Sequence, residues 1–484
     1  MDGTYTVLAL DLGGSGGRAV KAVYDGGGLT YEEVHRFDNR PRELDGYLRW
    51  DFAALLAEIR RGIEKAGHFD SLGIDTWGVD FGLLDGQGRL LEDPVHYRDG
   101  RTAGMVEEAL NTMDAQTLYA GTGTQILPMN TLFQLLALQR QQPELLERAD
   151  KLLFMPDLFA HTLCGSAVCE RSIASTGQLL SLPEGVWNRR MLQAFRLPER
   201  LFQPIVPSGT VVGALAGGEK VVAVAGHDTQ CAVAALPDPG RDAAFLSCGT
   251  WSLLGCELDR PILTRESMGL GLSNELGANG RINYLKNIVG LWLIQESRRE
   301  WRRQGQEHSF GELEGMAAAS EPLVCFIDPD DPRFAPPGDI PGRVRDYCAS
   351  TGQPVPRSKG AVMRCVYESL ALKYRLGLEQ LQTATGKRPR TLHILGGGVH
   401  ASLLCRMTAD CTGLRVAAGP VEATALGNVI IQLTALGAID SLDAGRALLA
   451  RTERPTEYLP RGGGRWEAAY GRWKEILARG GRPT

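Results

Sequence analysis

The 484-residue sequence predicts two related α/β domains, because the chain is longer than one hydrophobic core usually fills. Each half opens with the same pattern of an apolar strand, a turn of small residues and a second strand: YTVLALDLGGSGGRAVKAVY and AAFLSCGTWSLLGCEL. Strand and helix patterns then alternate in both halves. The Pro- and Gly-containing stretch LPDPGRD separates them. We therefore expect a first domain over 1–238 and a second over 239–484, facing each other across a cleft.

Composition and charge are those of a soluble globular protein, with 43% hydrophobic and 23% charged residues and a formal net charge of -5. This balance offers no basic face for nucleic acid or an anionic membrane. No apolar run reaches the length of about 18 residues that a membrane span needs. We also expect no signal peptide, since Asp11 interrupts the first apolar run and no basic region precedes it.

The ten cysteines form no CxxC pair and the eight histidines are scattered, so the sequence contains no zinc or redox motif. We expect free thiols and a reduced, cytoplasmic protein. Cys348 and Cys365 are the pair most open to meeting in space, but free thiols are the favoured interpretation for them as well.

The elements of the first half follow from local patterns. Two strands flank the glycine-rich turn at 13–17, and the helical spacing of WDFAALLAEIRRGIEKAG ends at Gly67. SLGIDTWGVDFGLLDGQGRLLE predicts a strand pair closed by the turn at 85–88, whose outer face we expect to carry Asp80 and Asp85 in solvent. Helical patterns fill roughly 102–164, and the buried strand VVAVAG leads into the motif GHDT.

The second half contains a long predicted helix with Val362, Val366, Leu370, Tyr374 and Leu378 at i+4 spacing, ending at Gly386. LKNIVGLWLIQES, residues 285–297, is interpreted as an earlier helix with Asn287 and Gln295 as its polar exceptions. TLHILGGG predicts a buried strand that runs into three glycines, with helices following in ASLLCRMTADCTG and after GPVEATALGN.

The turn DLGGSGGR is the first candidate for binding phosphate, because small residues let several backbone N–H groups approach an anion. Arg18 would neutralise phosphate charge, and Asp11 would hold Mg²⁺ through water. A glycine hairpin beside an acidic residue explains the same pattern structurally. The stretch matches neither a Walker A motif nor a dinucleotide fingerprint. The candidate phosphate contacts are Gly14, Ser15, Gly16, Gly17 and Arg18.

Two further small-residue turns lie in the second half. SCGTWS, with Thr250, occupies the place equivalent to the first glycine turn, and Gly396, Gly397 and Gly398 would offer a flat backbone surface to a ligand. Ordinary tight turns are the structural alternative at both positions.

GHDT is the candidate catalytic motif, with Asp228 placed to accept a proton from a hydroxyl group. The alternative is that Asp228 or Thr229 caps the following helix. Taken alone, the motif favours Asp228 as the helix cap, and both interpretations stay open at this point. His227 would be the base of a hydrolase triad, but no G-x-S-x-G motif supplies its nucleophile. The pair GIDTWGVDF and YRDGRT, with Thr76, Trp77 and Gly78, is typical of a sugar site where polar groups and one aromatic face meet.

In this order, DLGGSGGR, GIDTWGVDFGLLD, PVHYRDGRT, GHDT, SCGTWSLLG, LKNIVGLWL, ILGGG and GPVEATALGN resemble the FGGY carbohydrate kinases, from about Leu8 to the final helices. The resemblance implies two actin-like (ribonuclease-H-like) α/β domains flanking an ATP and sugar cleft. It also implies transfer of the γ-phosphoryl group of ATP to the 1-hydroxyl of L-rhamnulose, with Mg²⁺.

The resemblance assigns roles to individual residues. Asp228 would be the base, which leaves Thr229 as the predicted cap of the following helix. His227, Thr229, Gly78 and Asn287 would contact the sugar. Asp11 would belong to the magnesium shell. The contacts to ATP would come from the loop Gly14 to Arg18 and from Thr250, Gln295 and Gly397. The chain departs from the family at Gly14 and Gly16, where small or hydroxyl residues are usual; backbone donors survive that change.

Three alternatives stay open at this point. One is a kinase for a related sugar such as fuculose or xylulose, and another is an actin-like ATPase that leaves Trp77, Arg98 and Arg101 unexplained. A Rossmann dehydrogenase needs a helix directly after the glycine turn, where AVKAVY predicts a strand. We expect a sugar and ATP as the only partners, without nucleic acid or membrane, and a monomer or small homo-oligomer.

Overall fold

The computed structural model describes residues 3–182, 184–237, 243–462 and 464–480. Residues 238–242, most of the predicted linker, lie outside the described residues. Contacts divide the chain into two compact units, each built from three segments. The first comprises Met1–Asp238, Glu257–Leu285 and Glu422–Glu453, and the second Pro239–Cys256, Lys286–Val421 and Arg454–Thr484. The division into domains at 238/239 stays a prediction.

The strands are numbered in chain order. They are β1 (Tyr5–Gly13), β2 (Gly16–Tyr24), β3 (Leu29–Asp38), β4 (Arg42–Leu44), β5 (Tyr47–Arg49), β6 (Ser71–Thr76), β7 (Phe81–Leu84), β8 (Lys151–Phe154), β9 (Cys169–Glu170), β10 (Leu180–Ser181), β11 (Val186–Trp187), β12 (Ile205–Val206), β13 (Thr210–Ala214), β14 (Lys220–Ala223), β15 (Ala243–Cys248), β16 (Trp251–Leu258), β17 (Ser273–Leu276), β18 (Ile282–Val289), β19 (Thr391–Leu395), β20 (Arg415–Ala418) and β21 (Thr456–Tyr458).

The helices are numbered in the same way. They are α1 (Phe52–Ala66), α2 (Met105–Thr112), α3 (Ala115–Thr122), α4 (Thr131–Gln141), α5 (Pro143–Arg148), α6 (Met155–Cys164), α7 (Arg171–Ser175), α8 (Arg189–Ala194), α9 (Asp228–Ala234), α10 (Arg265–Gly269), α11 (Trp292–Arg303), α12 (Phe310–Ala318), α13 (Ile340–Ser350), α14 (Lys359–Thr385), α15 (Ser402–Thr412), α16 (Ala423–Ala435), α17 (Leu442–Thr452) and α18 (Gly464–Gly480). None of those whose residues are described combines the length and apolar character needed to cross a membrane.

The first unit is organised around a six-stranded sheet with the order β13-β14-β6-β1-β2-β3. Strand β1 pairs antiparallel with β2 and parallel with β6, so both Arg18 and Asp75 lie opposite Asp11. The apolar run of β1 is buried on both faces, which explains why it shows no alternation of apolar and polar residues. Helix α16 packs against β1 and α9, and α1 packs against β2 and β3.

The glycine at position 427 lets α9 and α16 come close together. A Cβ atom there would lie 1.8 Å from the carbonyl oxygen of Cys231, well inside van der Waals contact. Only glycine fits such an approach. The contact fixes α9, whose first residue is Asp228, against the helix that lines the sheet.

Several local predictions are confirmed in this unit. The first two strands flank the glycine turn as expected, and α1 ends before Gly67, whose φ of 63° suits glycine. The predicted hairpin around 85–88 is confirmed only in part. The turn is formed, Leu84 bridges Leu90 across it, and backbone bonds join Asp85 to Arg89 and Leu91 to Leu83, but the segment after the turn is not a strand. The pairing that the prediction missed is that of β7 with β8, inside the region predicted to be entirely helical.

The second unit contains the other predicted hairpin. Strands β15 and β16 are antiparallel, β15 is parallel to β19, and β19 is parallel to β20. Helix α14 confirms the long amphipathic prediction: its i+4 row of apolar residues is buried and it ends before Gly386. The predicted helix at 285–297 is wrong at its start, because 282–289 form β18 and the helix begins only at Trp292.

Candidate active site

Three carboxylates meet at one edge of the first unit's sheet. Asp11 and Asp75 are register partners at the ends of the parallel strands β1 and β6. Thr76 forms a parallel bridge with His227, which brings Asp228 to the same edge. The carboxyl ends of parallel strands are where α/β proteins commonly bind ligands. Asp75 was not singled out from the sequence, although its position at a strand end offered the same signal as that of Asp11.

Burial and mutual repulsion dominate the electrostatics of this carboxylate cluster. Burial raises the pKa of Asp75 well above its usual range, and the negative charge of Asp11 adds to the rise. Burial also raises the pKa of Asp228 to about 6, although its side chain stays 29% exposed. A carboxylate with this pKa is ionised at neutral pH and close to the value that suits a general base.

A cation suits the cluster. Asn428 Nδ2 donates to Oδ2 of Asp75 at 2.6 Å, while Oδ1 of Asp75 is buried without a hydrogen-bond partner among the described residues. Arg18 donates from Nε and Nη2 to Oδ2 of Asp11 at 2.9 and 2.7 Å and also pairs with Glu422. The carboxylates of Asp11 and Asp75 therefore match the oxygen donors that Mg²⁺ prefers.

His227 lies between the partly exposed carboxylate of Asp228 and the buried carboxylate of Glu275. Its Nδ1 lies 2.8 Å from Oε2 of Glu275, and its Nε2 lies 3.4 Å from Oδ1 of Asp228. Gln230 Nε2 donates to the same Glu275 oxygen at 2.6 Å. Burial opposes the charged imidazolium, but the carboxylates of Glu275, Asp228 and Glu170 together outweigh it, and the pKa of His227 is raised. Glu275 lies on β17, far along the chain, and no sequence pattern pointed to it.

The predicted cap of the helix after this motif is wrong. His227, not Thr229, is the N-cap residue of α9, and its side chain makes no capping bond. Asp228 Oδ1 instead accepts from the backbone N–H of Thr229 at 2.6 Å. This bond fixes the carboxylate at the start of the helix. Thr229 itself is largely buried.

Glu170 holds the turn before His227 from behind. Its Oε2 accepts from the backbone N–H groups of Gly226 at 2.9 Å, Ser172 at 2.9 Å and Ile173 at 3.1 Å. With the Ser172 hydroxyl, four donors meet this one carboxylate oxygen, and such charge-assisted bonds are stronger than neutral ones. Glu170 is thus a supporting residue of the site that the sequence did not reveal.

The sugar-site candidates Thr76, Trp77 and Gly78 follow β6 directly. The Trp77 ring lies 4.0 Å from that of Trp50, centroid to centroid, and Trp50 stacks on His96 at 4.2 Å. The Thr76 hydroxyl donates to the carbonyl of Trp77 at 2.9 Å. A Cβ at Gly78 would lie 3.2 Å from the Thr176 side chain, so a larger residue here would require Thr176 to shift by a few tenths of an ångström.

Asp80 is fully buried, which corrects the prediction that it lies on a solvated hairpin face. Its Oδ2 accepts from Nε1 of Trp50 at 2.7 Å and of Trp77 at 3.0 Å, and its Oδ1 accepts from Gln134 Nε2 at 3.0 Å. Burial raises the pKa of Asp80 to about 6. The carboxylate is therefore the acceptor that orients both indoles. The error arose because the local pattern gave no sign that β7 also pairs with the distant strand β8.

The glycine turn at 13–17 is a tight hairpin between β1 and β2. Ser15 is exposed at its tip, flanked by Gly14 and Gly16, and a Cβ at Gly17 would fall 2.2 Å from the Phe37 ring. The Arg18 side chain is directed at Asp11 and Glu422. The turn thus offers backbone groups at its tip, and Arg18 already has two anionic partners.

Two predicted contact residues of the second unit lie together. Thr250 Oγ1 donates to Oε1 of Gln295 at 3.3 Å, because the backbone N–H of Leu291 bonds the Gly249 carbonyl at 2.9 Å and starts α11 beside the β15–β16 turn. Asn287 belongs to this unit as well, but on strand β18 rather than on the predicted helix.

Gly396, Gly397 and Gly398 form a short 3₁₀ turn after β19. Gly396 has a φ of 75°, a conformation that favours glycine. A Cβ at Gly398 would lie 2.3 Å from the sulfur of Cys248, the last residue of β15. The three glycines and the Thr250 turn therefore gather at the same end of β15.

Family models and curated relatives both match this chain to one protein family. The N-terminal and C-terminal domain models of the FGGY family of carbohydrate kinases match residues 6–236 and 244–436. A curated rhamnulokinase of Bacteroides thetaiotaomicron is 42% identical, covering 97% of this chain and 99% of its own. A rhamnulokinase of Enterococcus faecalis is 40% identical and covers 93% of both chains.

Solved structures support the fold. A crystal structure of Plasmodium falciparum glycerol kinase with ADP aligns with a TM-score of 0.78 and 15% identity, covering 99% of both chains. That of gluconate kinase from Lactobacillus acidophilus aligns with a TM-score of 0.75 and 14% identity, covering 99% of this chain and 97% of the other. The expected two-domain actin-like (ribonuclease-H-like) α/β fold is thereby confirmed.

Proposed function

Because the chain belongs to the FGGY family of carbohydrate kinases, we propose that it transfers the γ-phosphoryl group of ATP to the 1-hydroxyl of L-rhamnulose. The choice of sugar is supported by the two relatives named rhamnulokinase, which match nearly the whole chain. The observation that supports the chemistry is the partly exposed Asp228 carboxylate, with its raised pKa, between His227 and the Asp11–Asp75 pair.

Asp228 is the proposed general base. Its carboxylate accepts the proton of the 1-hydroxyl as the new oxygen–phosphorus bond forms and the bond between the γ-phosphoryl group and ADP breaks. Because the pKa of Asp228 is about 6, the carboxylate is available at pH 7 and still basic enough to share the proton in the transition state. The imidazolium of His227 stabilises the ionised form and directs an N–H group to the same side.

Asp11 and Asp75 would hold Mg²⁺, with water completing its shell, and the ion would supply positive charge to the transferring phosphoryl group. Their convergence and the unpartnered Oδ1 of Asp75 support this assignment. Arg18 holds the Asp11 carboxylate in position through its two hydrogen bonds.

The remaining contacts belong to the same proposal. Thr76, Trp77, Gly78, His227, Thr229 and Asn287 would bind the sugar. Gly14, Ser15, Gly16, Gly17, Arg18, Thr250, Gln295, Gly396, Gly397 and Gly398 would bind ATP. The first domain would thus provide most sugar contacts and the phosphate loop, and the second the nucleotide contacts. Free thiols at all ten cysteines support a reducing, cytoplasmic setting.

The test is an ADP-release assay with L-rhamnulose, L-fuculose, D-xylulose and no sugar. We expect turnover that requires a sugar and is fastest with L-rhamnulose. A clear preference for another ketose would replace the substrate, while ATP hydrolysis independent of sugar would overturn the kinase proposal in favour of an actin-like ATPase.

The Asp228→Asn variant tests the base. We expect kcat to fall about 10²–10⁴-fold, the usual range for a lost general base, with ATP affinity largely kept. Asp85→Asn, on the exposed turn of the same unit, is the matched control and should keep normal turnover. Near-normal turnover by a folded Asp228→Asn protein would contradict the assignment.

A further inference from the structure

Three cysteine thiols meet inside the second unit, outside every residue set of the proposed function. The sulfur atoms of Cys325, Cys348 and Cys365 all lie within 4.8 Å of one another, and all three residues are buried. They come from three separate parts of the chain: the segment after α12, helix α13 and helix α14. Tertiary packing alone brings them together.

The segment that carries Cys325 is fixed by polar contacts on both sides. The backbone N–H of Phe326 donates to Gln353 Oε1 at 2.8 Å, and Gln353 Nε2 returns a bond to the Phe326 carbonyl at 2.8 Å. The Ile327 N–H donates to Ser369 Oγ on α14 at 2.9 Å. Cys325 is therefore held in place over α14 before any ligand arrives.

The spacing of the sulfurs suits a shared metal ion better than a disulfide. Three sulfurs that each bind one ion at about 2.3 Å lie roughly 4 Å from one another. The three sulfurs here, all within 4.8 Å of one another, reach that arrangement with small shifts. A disulfide needs two sulfurs about 2.05 Å apart and would leave the third thiol unused. Thiolate ligands select soft ions with filled d shells over hard ones such as Mg²⁺.

A cavity of about 320 Å³ borders the cluster, lined by Cys325 and Cys365. Arg357 and Arg364 line the same cavity, and Glu321 in its wall balances one of these two positive charges. Glu368 lines it as well, but its carboxylate accepts from Arg364 and from the Leu323 N–H. The fourth position of an ion is thus left to water or a small ligand from the cavity.

We propose that Cys325, Cys348 and Cys365 form a binding site for one thiophilic d¹⁰ metal ion, with three thiolate ligands and an open fourth position. Binding displaces the thiol protons, so the affinity rises with pH. The site is independent of the phosphoryl-transfer proposal, because none of its residues belongs to the predicted ATP or sugar contacts.

The test uses the full-length protein, reduced and freed of metal, titrated with Cd²⁺ while the thiolate-to-cadmium absorption in the ultraviolet is followed. We expect a plateau at one equivalent, and displacement of Zn²⁺ by Cd²⁺ from the zinc-loaded protein, since thiolates favour the softer ion. Cys325→Ser should weaken Cd²⁺ binding by more than about 100-fold, since even outer partners of metal sites contribute 10–100-fold. Cys164→Ser is the matched control, because Cys164 alone among the ten cysteines is not buried, and it should leave the titration unchanged.

X-ray absorption of the zinc-loaded wild-type protein keeps the proposal testable if a serine variant fails to fold. Three sulfur neighbours at about 2.3 Å would support it. A shell dominated by nitrogen and oxygen, a titration without a plateau, or a Cys325→Ser variant that binds like the wild type would overturn it. So would a Cys348–Cys365 disulfide that persists after reduction and excludes metal.

Discussion

Replacing Glu275 by Gln should move the acid limb of the pH profile, although Glu275 is not expected to touch the reacting atoms. The variant removes the negative charge 2.8 Å from His227 Nδ1 and keeps the side-chain shape. His227 then loses the main interaction that raises its pKa and becomes neutral in the range where Asp228 titrates. Without the imidazolium at 3.4 Å, the pKa of Asp228 rises further.

The magnitude follows from the geometry. Two unit charges about 4 Å apart interact by about 4 kcal/mol at an effective dielectric constant of about 20, and a pKa unit corresponds to about 1.4 kcal/mol. The loss of one such interaction therefore shifts a pKa by at most about three pKa units, both for His227 without Glu275 and for Asp228 without the imidazolium. Because a neutral histidine still donates a hydrogen bond, we expect the pKa of Asp228 to rise by about one unit.

The assay is kcat/KM for L-rhamnulose from pH 5 to 9 in wild type and Glu275→Gln. Since Asp228 must be ionised, activity is lost as pH falls through its pKa, near 6 in the wild type. We expect the variant's midpoint near pH 7, with activity largely recovered at high pH. Glu58→Gln is the matched control. Glu58, on α1, forms the same kind of carboxylate–histidine pair with His35 Nε2 at 2.6 Å, but this pair lies outside the candidate site. An unshifted midpoint with a uniformly lower rate would refute the reasoning.

Two further predictions concern the metal candidates and the helix packing. Asp75→Asn should raise the Mg²⁺ concentration needed for half-maximal rate by about tenfold or more, whereas Asp85→Asn should leave it unchanged. If the rate of Asp75→Asn depends on Mg²⁺ concentration as that of the wild type does, Asp75 is not a ligand of the ion. Gly427→Ala should lower the free energy of unfolding in urea by about 3 kcal/mol or more, since its Cβ would lie 1.8 Å from the Cys231 carbonyl. Gly315→Ala on α12, where a Cβ meets nothing within 4 Å, should instead raise it by about 0.5–1 kcal/mol, and equal effects at the two positions would contradict the packing argument.

Predictions from the sequence succeeded where a local pattern carries the information. Helix α14 follows from apolar residues at i+4 and a terminal glycine, and the two glycine-turn hairpins follow from apolar strands around small residues. They failed where pairing is non-local. Strand β7 pairs with β8, nearly 70 residues away, and this pairing buries Asp80, which the local pattern placed in solvent.

The candidate site divides in the same way. The sequence alone indicated Asp11, Asp228 and the Thr76–Gly78 segment, because acidic or aromatic residues directly after a buried strand stand out along the chain. Only the tertiary structure placed Asp75 in register with Asp11, Glu275 beside His227, and Glu170 behind Gly226. The same holds for the cluster of Cys325, Cys348 and Cys365. The physical reason is that turns, caps and apolar periodicity are properties of neighbouring residues, whereas a buried charge or thiol acquires its partners only when distant segments pack together.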